Sequence, residues 1–260
     1  MQYFRIYWQL IKINFAEHLA YRAHFINNVI STVCWAIFQI VWISLLTYKN
    51  QSAFGWRKEE LIILTITFVI ISGIQHCFIS KNFGEMSRVI DHGLLDSFLL
   101  KPVDSQFLLS LTIVNFAGLF RFFFGVVALI VALNRFNIHP SFLNVISYIS
   151  LMVFGLMSIY SIWYILSTII IWFPQLDNLV DFLYDLTGIS RYPKEMILKT
   201  NNYFLFFLLP ITIIGATPTR FLFNKILAGD VLLLLVSSIG LFFISRRFWK
   251  FALHFYTSAS

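Results

Sequence analysis

The chain has 260 residues, of which 59% are hydrophobic and 12% charged, and its mean hydropathy is +0.79. A water-soluble domain carries about 25% charged residues, so this composition excludes one. The formal net charge of +7 does not indicate nucleic acid, because the basic residues sit in small groups at the ends of apolar runs, as membrane-flanking cations do.

The first apolar stretch is interrupted by Arg5, Lys12, Glu17 and Arg22, which excludes a cleavable signal peptide. Wound as a helix, it places Phe4, Trp8, Ile11 and Phe15 on one face and Arg5, Gln9 and Lys12 on another, the pattern of a helix lying in the membrane interface over residues 1–22. A spanning helix needs roughly 20 mostly apolar residues. Residues 25–47, 61–80, 107–133 and 142–173 meet that length, and a last span is expected at 227–245. Cys34 and Cys77 lie inside apolar runs, so no disulfide framework is expected. His76 beside Cys77 lacks the further spaced ligands of a metal site and is expected to be a packed polar residue. Trp35, Trp42, Trp163 and Trp172 are expected as packing and interfacial anchors.

The fifth span has two candidates, 175–190 and 203–223. Charge bias favours 203–223, which leaves twelve basic residues inside and six outside, against nine and nine for the alternative. Pro210, Gly215 and Pro218 argue the other way, because such interruptions are tolerated at membrane depth only where backbone is buried or lines a cavity. Either choice predicts an all-α integral membrane protein with six transmembrane helices and both termini in the cytoplasm.

Between the second and third runs stands GLLDSFLLKPVDSQF, residues 93–107. Upstream of it, Phe83, Met86, Val89, Ile90 and Leu94 recur at helical spacing among Glu85, Arg88, Asp91 and Asp96, which predicts a cytoplasmic helix over 82–101 ended by Pro102. Such a helix either docks on a partner or holds two spans in register. The segment resembles the intracellular loop of bacterial ABC-2 type transporter permeases, a likeness carried by Gly93, Leu95, Asp96, Leu99, Lys101, Pro102, Val103, Gln106 and Phe107. Tyr21-Arg22 with Phe25, Arg191-Tyr192-Pro193 ahead of Pro210 and Pro218, and the aromatic-basic tail from Phe248 resemble the same family.

The resemblance implies one permease domain over residues 1–260 in a bacterial cytoplasmic (inner) membrane, exporting its substrate. It implies a coupling region at 82–102, in which Glu85, Gly93, Leu95, Asp96, Leu99, Lys101 and Pro102 meet a separate ATPase subunit. It also implies a second permease copy or related permease, and a re-entrant segment at 203–223 with 175–190 as the fifth span. The chain contains no G-x-x-x-x-G-K-[ST] loop and no H-E-x-x-H or G-x-S-x-G pattern, so it is expected to hold no cofactor and catalyse nothing itself. ATP and Mg are expected on the partner ATPase.

Arg121 falls near the middle of the third span, where a charge costs about 2.5–3.5 kcal/mol on insertion scales. Asp177, Asp181 and Asp185 are four apart and share one helical face. A pair between Arg121 and Asp181 or a neighbouring aspartate is expected, as a structural contact or as lining of the translocation path; if 203–223 spans instead, the aspartates belong to an acidic interfacial helix outside the membrane. A cation channel using the aspartates, or a non-transporting membrane scaffold, are the rival functions.

Overall fold

The computed structural model describes residues 2–48, 52–173, 176, 178–198 and 209–256. The chain opens with α1 (Gln2–Ala20) and α2 (Arg22–Leu46), separated by a bend at Tyr21 (φ −104°, ψ 55°). A two-residue hairpin follows, β1 (Ser52–Ala53) against β2 (Trp56–Arg57), turned by Phe54 (φ 55°) and Gly55 (φ 83°). Positive φ at both central positions suits the right-handed strand twist. Glu60 closes the start of α3 (Lys58–Phe78) by accepting from the Arg57 backbone N–H at 3.0 Å.

The other helices gather around α3. It continues almost directly into α4 (Ser80–Asp91), and 83% of the most apolar window of this helical stretch is buried, against 11% for α2. An all-round apolar helix of this kind is buried in protein, whereas α2 keeps one face for lipid. A short α5 (Leu95–Leu99) and α6 (Ser105–Leu111) lead to α7 (Ala117–Arg135). Glycines set how closely α7 lies on α3: a Cβ on Gly118 would stand 2.5 Å from the Cys77 backbone N, and one on Gly73 would stand 2.6 Å from the Phe122 backbone N. Small residues at a crossing let helix backbones approach where lipid supplies no hydrophobic drive.

The expected third span, 107–133, is not one helix. It is interrupted at 112–116 between α6 and α7, and α1 and α4 satisfy the freed backbone. Asn14 donates to the Thr112 carbonyl (2.9 Å) and accepts from Val114 N–H (3.2 Å). Asn82 donates to the Ile113 carbonyl (2.7 Å) and accepts from Ile113 N–H (2.8 Å). The Asn115 N–H donates to the Cys77 carbonyl at 2.8 Å. Non-helical backbone in an apolar setting needs such partners.

Next come α8 (Phe142–Thr168), extended by a 3-10 turn (Ile169–Ile171), and α9 (Leu179–Gly188), extended by another (Ile189–Arg191). Then follow α10 (Lys194–Leu198), α11 (Leu209–Leu222) and α12 (Ala228–Leu253). Among the described residues five helical stretches are long and apolar enough to cross a membrane: Arg22–Leu46, Lys58–Ile90, Ala117–Arg135, Phe142–Ile171 and Ala228–Leu253. Within the expected span 175–190, residues 175 and 177 lie outside the described residues; α9 has 10 residues, a rise of about 15 Å against a hydrocarbon core of about 30 Å. Within 203–223, residues 203–208 lie outside the described residues; the remainder forms α11, with Pro218 inside it. Gly155 of α8 meets Ile214 of α11, and the Thr219 hydroxyl donates to Thr67 of α3 at 3.1 Å.

Candidate functional site

The loop after α4 departs from the single helix expected over 82–101. Gly93, at φ 67°, breaks it between α4 and α5, a left-handed conformation that glycine adopts without steric cost. The apolar residues of this stretch, Leu100 among them though the sequence does not single it out, divide into two groups. Phe83, Met86 and Ile90 are buried, and the Phe83 ring packs edge-on to Trp163 and Tyr164. Leu95 is wholly buried as well. Leu94, Leu99 and Leu100 are exposed, Leu100 to 86%, and Lys101 and Pro102 are exposed beside them. Lys101 lies over the Phe98 ring at 4.8 Å. Glu85 pairs with Arg88 on α4 (2.8 Å), away from this tip in sequence.

The residues just after Pro102 fasten the tip to the body. Asp104 caps α6 by accepting from Phe107 N–H at 3.1 Å. Both its oxygens also accept from the Arg246 guanidinium of α12, one of them at 2.7 Å. This fork geometry is the stronger kind of charge-assisted hydrogen bond. Arg246 donates further to Gln106 (3.1 Å), and Gln106 donates to the Tyr160 hydroxyl of α8 (3.2 Å). Trp249 of α12 donates to Ser105 at 3.1 Å. The Arg246 guanidinium, helped by the Phe107 and Gln106 backbone N–H groups, holds the Asp104 carboxyl below its ordinary value of 3.8. Asp96 stands near Tyr256 at the end of α12, and burial and the Asp96 carboxylate raise that phenol's pKa.

The second group of predicted residues meets in a cleft of about 550 Å³ between α2, α3, α7 and α9, where Arg121, Asp181 and Asp185 all line the wall. The expected Arg121–Asp181 ion pair does not form. Arg121 donates instead to the Gln39 amide oxygen of α2 at 3.1 Å, while Asp181 and Asp185 stand on the exposed face of α9. Packing decides the difference: α9 (Leu179–Gly188) buries Leu183 and Thr187, which leaves the aspartates on its exposed face. Asp177 lies outside the described residues. His76 joins the cleft as a packed polar group, 3.1 Å from the Tyr184 hydroxyl.

A third cluster was not anticipated. Glu195 of α10 accepts from Trp56 Nε1 (2.9 Å) and from Arg220 of α11 (2.5 Å), and Arg220 stacks on the Trp56 ring. Lys194 pairs with Asp230 of α12, and Lys225 with Glu60 (2.5 Å). Opposite charges spread over five segments could be matched only by their fold.

A buried helix jacketed by apolar helices, with a pinned polar loop at one end and charges lining a cleft, defines a multi-pass membrane protein. The description "ABC-2 family transporter protein" belongs to a family model that matches residues 33–260, and the chain belongs to that family. No curated protein and no solved structure matches it.

Proposed function

We propose that the chain is the membrane permease subunit of an ATP-driven exporter in a bacterial inner membrane. It works with a separate ATPase that binds ATP and Mg, and with a second permease copy or a related one. The observation that carries this reading is the exposed apolar tip Leu99-Leu100 with Pro102, presented on a loop that Asp104, Ser105 and Gln106 fasten to α12 and α8. A leucine pair left in water would be an odd terminus for a passive connector; in a partner's groove it is an anchor.

The mechanism follows from the fastening. Closure of the ATPase displaces the tip, and the Asp104–Arg246 fork passes the displacement to α12 while the Gln106–Tyr160 bond passes it to α8. Alternating access is then a rocking of these helices about α3.

Six passes with the ends of α1 and α12 on the cytoplasmic side fit the contacts. Tyr184 lies beside His76 at the last turn of α3, and Glu195 reaches Trp56 just before its first. Residues 184–195 run opposite to α3 between these contacts, which supports reading this region as the fifth pass in the form of a broken helix. Both Glu195 and Arg220 meet Trp56. We read α11, which returns to Trp56 through Arg220, as the described part of a re-entrant segment before the last pass. The exposed Phe4, Trp8 and Phe15 of α1 suit a helix lying in the interface.

Purification of the tagged chain from its host in mild detergent tests the reading. An ATPase polypeptide should accompany the wild type and be lost from the Asp96→Arg, Leu99→Glu double variant. Its absence from a well-folded wild-type sample would favour a channel or scaffold.

A further inference from the structure

The cleft holds two guanidiniums that form no ion pair with the carboxylates beside them. Arg121 bonds only to the neutral Gln39, and its Nε is buried without a partner. Arg191 stacks on Tyr192, and its Nε is likewise buried and unpartnered. Partly buried cations are costly unless paired, and two in one cleft repel each other. Asp181 and Asp185 do not resolve this, since they make no ion pair with either arginine and are exposed at the rim. Gln39, Gln75, Thr32 and Ser72 supply neutral hydrogen-bonding groups in the same cleft.

A second feature adjoins it. A groove of about 300 Å³ along α2, lined by Ser31, Cys34, Trp35 and Phe38, shares Ser31 and Trp35 with the polar cleft. A cleft with two guanidiniums that form no ion pair, beside an aromatic groove that shares two of its lining residues, matches a molecule with an anionic head and an apolar tail.

We propose that this cleft binds the anionic headgroup of an amphiphile between Arg121 and Arg191, with the tail lying along the α2 groove. Bidentate guanidinium contacts suit a phosphate or carboxylate head. That the amphiphile is the cargo rests on the transport reading above; the binding does not.

The test is thermal unfolding of the purified chain in neutral detergent with three additives: dioleoylphosphatidylglycerol, dioleoylglycerol, which has the same tails without the anion, and inorganic phosphate, which has no tail. Phosphatidylglycerol should raise Tm saturably by several degrees, and the other two should not. Arg121→Gln and Arg191→Gln should each weaken the apparent affinity at least tenfold, while Arg135→Gln, on α7 outside the cleft, should leave it unchanged. Should an arginine variant fail to fold, Ser31→Trp blocks the junction without altering charge and should abolish the shift. An equal shift from dioleoylglycerol or from phosphate, or a shift retained in the folded variants, overturns the proposal. The assay contains no ATPase, so its failure leaves the coupling reading standing.

Discussion

Asp104 shows how one side chain can serve two ends. It starts α6 and grips Arg246 142 residues away. Both partners are partly exposed (36% for Arg246, 29% for Asp104), so the pair contributes no more than about 1 kcal/mol to stability, and its larger effect should be on coupling. Its pH dependence has a definite sign. The folded-state pKa is depressed, so the contribution is complete above the ordinary value of 3.8 and disappears as pH falls through the lower folded value. Thermal unfolding of wild type and Asp104→Asn should therefore differ by a small constant amount from pH 7 to about pH 4, with the gap closing only below. A gap that closes already near pH 6 would contradict the assignment.

At the scale of elements, the interruption at 112–116 depends on two asparagines. Asn82 satisfies both the N–H and the carbonyl of Ile113, and leaving a buried polar group unpaired costs about 1–3 kcal/mol. Asn82→Ala should lower the unfolding temperature in detergent by several degrees, while the exposed Ser97→Ala should leave it within error. Equal stability of the two variants would mean that the break is solvated from elsewhere. This interruption also marks where sequence reasoning stops. Residues 107–133 contain no proline, and the glycines fall after the break, so periodicity offered no reason to end a helix at Leu111. The partners lie 98 and 31 residues away. The apolar runs that became α2, α3, α8 and α12 were legible because a membrane demands length and hydrophobicity of each span separately. The loop was legible by composition and resemblance, and Gly93 and Pro102 do stand at its turns. Its fastening was not legible, because Arg246 looks like any other flanking cation until α12 brings it to Asp104. Asp181 was misjudged for the same reason: a spacing of four assigns a face, and only packing decides what that face meets.

At the scale of the whole molecule, the exposed leucine tip and the Trp56 cluster mark opposite ends of the helical body, joined by α3, α8 and α12. In the proposed mechanism the route from the tip to the far cluster is α12, which carries Arg246 near one end and Asp230 in its first turn. A permease driven by a separate motor needs such a rigid connection, and a channel does not. The most direct test is photo-crosslinking in native membranes with a photoreactive residue in place of Leu100, which is 86% exposed at the tip, or Leu143, which is 71% exposed at the far end of α8. The account predicts a crosslink to an ATPase polypeptide from position 100 and none from position 143. An ATPase crosslink from position 143, or from neither position in a well-expressed chain, would contradict it.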